Sequence, residues 1–349
     1  MPEELQPNHE PLNQNTTVYG DNIFGDKFGG DKVAGDKITG DVVVTGYVAG
    51  DVIVNVPAAP EITPPPPPRK PPNVPLLVGR EQELDHFQLR LAESGLAVIS
   101  GMAGVGKTTL AASLIKRLAN PDSVFWHAFH EGEGVDVLVW RLAGFMAWHG
   151  QEEMWRMLQT AKVTNGKLPP PGMLFDYLIQ QLQGQPYLLC LDDFQFAQED
   201  PLLNRLVERL DPLIRGGQIK IIITSREIPE FVRRSSVQGL GGLSVKAVSH
   251  LLKANDIFLE PDLTEQLHNY TGGNAQLLTL AIDLLLSTTN PEKLIQNLGE
   301  TEDVEDFLMD EIEERLSRDE RLVMKAIAVL LGYPGSRGAI EAILDGRSA

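Results

Sequence analysis

The chain has 349 residues, of which 42% are hydrophobic, and a formal net charge of −18. This length and apolar content are sufficient for two or three domains with proper cores. The acidic charge argues against a broad nucleic-acid or anionic-membrane surface, so we expect neither kind of partner. Since the sequence shows neither a membrane-length apolar run nor a signal peptide, and its single cysteine (Cys190) lies in an apolar strand, we expect a cytoplasmic protein.

Residues 1–19 are polar and are predicted to form a disordered tail, whereas residues 20–56 repeat Gly-Asp and an apolar residue with a period of five. Odd spacing sends alternate apolar residues to opposite faces of a flat strand, and recurrent glycine opposes a helix. The repeat therefore favours very short strands with corners at Gly-Asp, as in a β-solenoid or a stack of short hairpins. One hypothesis is that other copies of the chain complete this short β-repeat. A flexible tail is the alternative.

Residues 57–75 form a proline-rich linker. The five consecutive prolines Pro64 to Pro68 impose the polyproline II conformation. We interpret the segment as a semi-rigid spacer with a reach of up to ~60 Å. A motif for a proline-reading domain is the alternative that we favour less.

From residue 76 to 244, apolar strands alternate with helical stretches, which predicts an α/β domain with a parallel sheet and helices on both faces. The predicted strands are 96–100, 124–129, 187–191 and 219–224, with a weaker fifth strand near 237–243. The predicted helices are 81–93, 107–119, 135–147, 173–183 and 202–214.

The sequence between the first strand and its following helix fits the phosphate-binding pattern G-x-x-x-x-G-K-[ST]. Its glycines allow successive backbone N–H groups to face a polyphosphate at a helix N-terminus, so we predict nucleoside triphosphate binding. Lys107 is expected to reach the β- and γ-phosphates, and the Thr108 hydroxyl to bind Mg²⁺. The whole predicted loop consists of Gly101, Met102, Ala103, Gly104, Val105, Gly106, Lys107, Thr108 and Thr109.

Two further strands end in charged residues that the parallel sheet would bring to the same edge. Asp192 and Asp193 follow one apolar strand, and Arg226 follows another. We expect Asp192 to hold Mg²⁺ and Asp193 to orient or deprotonate a water molecule for attack on the γ-phosphate. Arg226 is placed to contact the γ-phosphate and so to report its presence, although a surface pair with Glu227 is the alternative.

Strands disappear after residue 244. Residues 245–300 are predicted to form a helical lid domain, with helices at 245–254, 263–271 and 275–287. Residues 301–349 are predicted to form a winged-helix-like domain, complete or truncated, with a helical block at 304–331 and a last helix at 338–345.

Histidines and tryptophans elsewhere suggest other chemistry only weakly. His127, His130 and Glu131 follow a strand and lack the helical spacing of a zinc-protease site, so we assign them to loop or packing roles. The four tryptophans are assigned to the core because no basic residues interleave with them, as a nucleic-acid groove would require.

The order of these motifs resembles the STAND class of nucleotide-switch ATPases, and most closely its NB-ARC type. The motifs that carry the resemblance are Val78-Gly79-Arg80-Glu81, GMAGVGKTTLA, LLCLDD, IIITSRE and Thr271-Gly272-Gly273-Asn274. The type is shared by plant resistance proteins, apoptotic-protease activators and bacterial multidomain regulators, and the resemblance extends over roughly residues 76–345.

The resemblance implies a role for each matching residue. Val78, Gly79 and Arg80 would lie on the adenine side, and Gly273 and Asn274 would contact the nucleotide from the helical domain. Lys107, Asp192, Asp193 and Arg226 would be the catalytic set, and Thr108 with Asp192 would bind Mg²⁺.

Two features depart from the family pattern. Ala275 stands where the family usually has a proline, and the His-Asp motif that grips ADP is not visible before Ala349. The long sensor repeats that normally follow are also not visible, which fits a fragment, a truncated product or a minimal member that relies on a partner.

These observations predict an ATP/ADP switch with slow ATPase activity, with ADP bound at rest and ATP-Mg²⁺ bound when active. ATP exchange would permit self-association and signalling to a protein partner, in defence or regulation. The alternative is a structural oligomer, built by the N-terminal repeat, whose nucleotide is not turned over.

Overall fold

The computed structural model describes residues 37–39, 53–55, 63–74, 77–118, 120–163, 166–233 and 237–330. The chain divides into one unit of residues Met1–Thr63 and a second unit of residues Pro64–Ala349. The disordered tail expected at residues 1–19, most of the repeat and the predicted helix at 338–345 lie outside the described residues.

In the first unit, strands β1 (Lys37–Thr39) and β2 (Ile53–Asn55) pair in parallel. Ile38 is the partner of Val54 in this register. A tight hairpin joins antiparallel strands, whereas parallel strands need a longer crossover connection. The pairing of β1 and β2 therefore differs from the antiparallel pairing of a hairpin.

The part of the second unit that is predicted to bind nucleotide contains a parallel four-stranded sheet, and its strands lie in the order β3-β6-β5-β4. Its strands are almost entirely buried and rich in Ile, Leu and Val, as expected for a sheet covered on both faces. The elements are α1 (Glu81–Ser94), β3 (Leu96–Ser100), α2 (Lys107–Leu118), β4 (Val124–Ala128), α3 (Val135–Trp148), α4 (Glu153–Val163), α5 (Pro171–Leu182), β5 (Leu188–Asp192), α6 (Pro201–Arg215) and β6 (Lys220–Ser225).

In the described residues, six helices follow the sheet, and the first five share a second apolar core. They are α7 (Val245–Ala254), α8 (Pro261–Thr271), α9 (Ala275–Ser287), α10 (Pro291–Glu300), α11 (Val304–Arg315) and α12 (Arg318–Leu330). Side-chain caps fix several helix starts: the Ser244 hydroxyl accepts from Ala247 N, and the Asn290 carbonyl oxygen accepts from Lys293 N. Within the described residues, no helix combines the length and apolar character that a membrane span requires.

The predicted α/β fold class is confirmed, and the four main strands agree with the structure to within one residue at each end. The fifth strand predicted near 237–243 is wrong. Only Gly239 forms a bridge, to Ser100, and Leu240 N donates to the Ser100 carbonyl oxygen. Beyond that point Leu243 N donates to the Gly273 carbonyl oxygen, so the segment turns away from the sheet toward the helical domain.

The helical block predicted at 304–331 is two helices, α11 and α12, which are separated at Leu316 and Ser317. Helices α4 and α10 were not predicted. Of the winged-helix-like domain predicted at residues 301–349, the described residues include only 301–330, so the winged-helix fold stays a prediction.

Residues 63–74, which belong to the predicted spacer, contain neither helix nor strand. Val74 packs against the core cluster that contains α1, α2 and the sheet. Pro65 lies near Gly144 of α3, since a Cβ built on Gly144 would be 3.9 Å from the Pro65 Cβ. This part of the proline-rich segment therefore lies on the nucleotide-binding domain.

Candidate functional site

The loop between β3 and α2 forms the curled backbone that the phosphate pattern predicts. Gly104 and Gly106 have φ angles of +73° and +99°, in the region that glycine adopts without a steric penalty. Val105, between them, is 1% exposed and anchors the loop in the core. The N-terminus of α2 follows directly, and its dipole and N–H groups favour an anion at this position.

Lys107, the first residue of α2, is buried and folds back over the loop. Its Nζ donates a hydrogen bond of 2.9 Å to the carbonyl oxygen of Met102. Burial lowers the pKa of Lys107, while the nearby carboxylate of Asp193 opposes this shift. A phosphate group would supply the negative charge that stabilises this partly desolvated ammonium.

Asp192, at the end of β5, is 2% exposed and lies at the centre of a set of oxygen atoms. Its Oδ1 accepts hydrogen bonds from the hydroxyls of Thr108, at 3.0 Å, and Thr224. Burial is the largest influence on this carboxyl and raises its pKa. A buried carboxylate beside a threonine hydroxyl is a donor set that suits Mg²⁺.

Asp193 has a φ of +53°, a left-handed conformation that is uncommon outside glycine and that turns the chain sharply at the sheet edge. Its backbone N–H donates to Thr224 Oγ1 at 3.0 Å, and its Oδ1 accepts from Gln195 Nε2 at 3.0 Å. Gln195 Oε1 in turn accepts from the backbone N–H of Arg226. Gln195 therefore joins the two strand ends that carry the predicted water-orienting acid and the predicted phosphate sensor.

The guanidinium of Arg226 lies 5.9 Å from the centre of the Phe196 ring. The Arg226 side chain is exposed, and it lines a cavity of about 410 Å³ together with Gly106, Lys107, Thr108 and Asp193. The structure thus places these predicted residues around one space, whose volume is within the usual range of ligand sites.

The start of α9 closes this cavity from the helical domain. Asn274 Nδ2 donates to the carbonyl oxygen of Ala103, and the backbone N–H of Gln276 donates to the carbonyl oxygen of Gly104, both at 2.9 Å. Ala275 and Gln276 also line the cavity. We call these two hydrogen bonds the α9 latch. They bring a residue predicted to contact nucleotide directly onto the phosphate loop.

The residues expected on the adenine side have a structural role in this conformation. Arg80 is 4% exposed, pairs with Glu83, and donates from Nη2 to the carbonyl oxygens of Val105 and Gly241. A Cβ on Gly79 would lie 2.2 Å from the Ala247 Cβ of α7.

Val78 is half-buried beside this packed pair. Gly273, also with a positive φ, accepts from Leu243 N at 2.7 Å. These contacts hold the phosphate loop, the 240s segment and the helical domain together. Whether Val78, Gly79 and Arg80 also contact adenine stays a prediction.

Within the described part of the chain, no group of three or more His, Cys, Asp or Glu side chains is arranged to hold a metal ion. The arrangement fits a Mg²⁺ ion that binds together with a nucleotide. Thr108 and Asp192 would supply two oxygen ligands, and phosphate and water would supply the others. His127 is fully buried between Phe125 and Phe129, and burial lowers its pKa to about 3. It is therefore a neutral packing residue, as the sequence predicted.

Three residues of the site were not predicted: Thr224, Gln195 and Gln276. Thr224 is visible in the sequence as a polar residue at the end of an otherwise apolar strand, which is a usable signal. Gln195 bonds to a residue 31 positions away in the sequence, and Gln276 bonds to a residue 172 positions away. Neither glutamine carries a local sequence signal.

Comparisons with known proteins agree with this geometry. Residues 76–211 match the family described as the AAA ATPase domain. A STAND protein with a tetratricopeptide repeat sensor from Pyrococcus horikoshii is similar with a TM-score of 0.57 and 22% identity, over 79% of this chain and 38% of that protein. The chain thus matches well under half the length of that neighbour. No curated protein matches the chain.

Two other solved structures are more distant. A Walker-type ATPase from Pyrococcus abyssi has a TM-score of 0.47 and 15% identity, over 77% of this chain and 88% of that one. The Aeropyrum pernix ORC1 protein, in a complex with DNA, has a TM-score of 0.41 and 19% identity, over 77% and 78% of the two chains. Residues 76–211 therefore match an AAA-type ATPase domain, and the fold is similar to that of the Pyrococcus horikoshii STAND protein.

Proposed function

We propose that this chain is an ATP/ADP-dependent switch in which the nucleotide controls how the helical domain sits on the phosphate loop. The observation that supports this proposal most directly is the α9 latch, because Asn274 and Gln276 bind the loop that would cradle the phosphates. A ligand in the cavity lined by Gly106, Lys107 and Ala275 would contact both domains at once. Which nucleotide is bound can therefore change the relative stability of the closed and open arrangements of the two domains.

Each side chain has a defined part in this proposal. Lys107 would pair with the β- and γ-phosphates, and Thr108 and Asp192 would bind Mg²⁺, which neutralises phosphate charge when it is bound. Arg226, which lines the same cavity, would contact the γ-phosphate. ADP lacks that group, so the Arg226 contact would distinguish the two nucleotides.

Asp193 would set the rate of return to the ADP state. Its carboxylate, held by Gln195 Nε2, would orient a water molecule and accept its proton as the water attacks the γ-phosphate. A switch requires only slow turnover, because the free energy that drives it comes from differential binding of ATP and ADP. ADP would favour the closed arrangement, and ATP-Mg²⁺ would favour an open one that self-associates and signals.

The direct test is to identify the nucleotide in the purified protein and to measure its mass with ADP and with a non-hydrolysable ATP analogue. We expect bound ADP with a smaller species, and a larger assembly with the analogue and Mg²⁺. The same mass with both nucleotides would contradict the switch.

Phosphate release distinguishes the switch from a scaffold that holds nucleotide without turnover. We expect slow release by the wild type, loss of release in Asp193→Asn, and wild-type release in the control Glu199→Gln, which changes an exposed acid nearby. Tight nucleotide binding with no phosphate release at long times would favour the scaffold.

A further inference from the structure

The proline-rich segment contacts the nucleotide-binding domain with a regular period. Pro65, Pro68, Pro71 and Val74 are half-buried, whereas the residues between them are exposed, with the same pattern in every turn. A polyproline II helix has three residues per turn, so these four side chains share one face. One face of the helix is therefore more buried against the domain than the other two.

The surface under the first half of this segment is aromatic. Pro66, Pro67 and Pro68 border a cavity of about 170 Å³ whose opposite wall is formed by β4, α3 and α4. The aromatic side chains of this wall are Phe125, Trp126, Trp140, Phe145 and Trp155. They are ordered by edge-to-face contacts, with the Trp140 and Trp155 ring centres 5.6 Å apart.

Gly144 of α3 lies where the segment meets this wall. A Cβ on Gly144 would lie 3.4 Å from the Trp155 ring and 3.9 Å from the Pro65 Cβ. Both distances correspond to ordinary van der Waals contact, so the proline and the indole both pack over the helix surface at Gly144. An aromatic wall beside a polyproline II helix is also how dedicated proline-binding domains recognise their ligands.

We propose that this aromatic wall is a recognition site for a polyproline II ligand, and that its ligand is the chain's own segment 65–74. This inference is independent of the nucleotide switch. Since the segment is tethered, its effective concentration at the wall is high, and even a weak contact keeps it bound.

Two features make the bound segment displaceable. A cavity of about 730 Å³ remains between its second half and the surface of α2 and α3, so the groove is incompletely filled. Arg69 also approaches Arg141 of α3, and burial together with this like charge lowers the pKa of Arg141. The like charges of Arg69 and Arg141 at this cavity therefore oppose binding of the segment, and the carboxylate of Glu133 partly offsets this repulsion.

The test compares two triple variants of the full chain that lose the same number of prolines. Pro65, Pro68 and Pro71 become alanine in the inner-face variant, and Pro66, Pro67 and Pro72 become alanine in the outer-face variant. Both lose equal polyproline II preference, but the inner-face variant loses half-buried side chains, whereas the outer-face variant loses exposed side chains at the edges of the two cavities. All six prolines lie on the surface, so nucleotide binding and circular dichroism serve as controls for folding.

Acrylamide quenching of tryptophan fluorescence measures whether the wall is covered. We expect the quenching constant of the inner-face variant to rise about twofold, since two of the four tryptophans, Trp126 and Trp155, are buried beside the segment. The outer-face variant should show a smaller rise, because its side chains are the more exposed ones. Equal quenching constants in the two variants would overturn the proposal.

A peptide with the sequence of residues 62–75 provides a second measurement. It should restore low quenching to the inner-face variant in a saturable way, and a peptide with the three inner prolines replaced by alanine should not. Failure of the first peptide to bind, or equal binding of both peptides, would also overturn the proposal.

Discussion

The side-chain amide of Asn274 lies 2.9 Å from the carbonyl oxygen of Ala103, although 171 positions separate the two residues. The same side chain caps α9, because its Oδ1 accepts from the backbone N–H groups of Gln276 and Leu277. One asparagine therefore both starts a helix of the helical domain and binds the phosphate loop. The two roles use different ends of the amide, which allows them to be separated experimentally.

We expect Asn274→Asp to open the α9 latch while it preserves the cap. Aspartate accepts hydrogen bonds from a helix N-terminus as well as asparagine does, but it cannot donate to Ala103. Loss of one hydrogen bond of about 1 kcal/mol should speed hydrogen exchange at the Gln276 amide about fivefold in the nucleotide-free protein. Asn290→Asp, at the start of α10, is the matched control and should leave this exchange unchanged.

Gly104→Ala is expected to push α9 away from the phosphate loop. The added Cβ would lie 2.6 Å from Asn274 Oδ1 and 2.8 Å from Gln276 Oε1. Both distances are too short for a Cβ, so Asn274 and Gln276 would have to move away from the loop. The same change at Gly132 also places alanine at a positive φ but meets nothing within 4 Å. Backbone strain of about 1–2 kcal/mol is thus common to both.

Exchange protection at the start of α9 should therefore fall in Gly104→Ala and persist in Gly132→Ala. If both variants lost protection equally, contact between α9 and the loop would not be responsible.

Asp192→Asn should stabilise the nucleotide-free protein near pH 7 and remove its stabilisation by ATP-Mg²⁺. Burial raises the pKa of Asp192 above its value in the unfolded chain, so the folded protein favours the protonated form. The resulting stability is present at low pH and is lost as pH rises, at about 1.4 kcal/mol for each unit of pKa elevation.

The gain from asparagine should accordingly shrink as the pH falls toward 4. Thermal unfolding with and without ATP-Mg²⁺ measures both effects. An Asp192→Asn variant that retained the full magnesium-dependent shift would rule out this residue as a ligand.

His127→Phe should make the protein more resistant to acid. Neither ring nitrogen of His127 has a hydrogen-bond partner among the described residues, and the Glu133 carboxylate lies 3.5 Å from Nε2. Burial outweighs this neighbour and lowers the pKa of His127 to about 3, so the imidazole is neutral and the pair is not an ion pair.

A depressed pKa gives stability that is complete above pH 6.5 and is lost as the pH falls toward 3. Phenylalanine does not titrate, and the ring fits beside Phe125 and Phe129. The acid midpoint of unfolding should move to lower pH in His127→Phe and stay constant in His130→Phe, which changes an exposed ring. A common shift in both variants would exclude burial as the cause.

The sheet and the phosphate loop could be predicted because their signals are local. An apolar run, glycines at fixed spacing and a following helix specify Gly101 to Thr109 without reference to the rest of the chain. Asp192 and Arg226 lie at the same sheet edge, as predicted, because the parallel strands β5 and β6 bring their carboxyl ends together.

What could not be predicted depends on contacts between distant segments. Gly241 and Gly242 resemble a strand end in the sequence, yet the Gly241 carbonyl oxygen binds Arg80 and Gly242 lies against Gly272. Arg80 matched a family position on the adenine side, but its buried hydrogen bonds to Val105 and Gly241 become visible only after the chain has folded.

The three-residue period of the proline-rich face restricts how the segment can shift along the domain. Sliding by one residue would turn a polyproline II helix by a third of a rotation and present the wrong side chains to the wall. Only a displacement of three residues, about 9 Å, restores a matching face. The segment can therefore shift along the domain only in steps of three residues. Insertion of a single residue within it would turn the following side chains away from the domain, whereas insertion of three residues would keep the matching face.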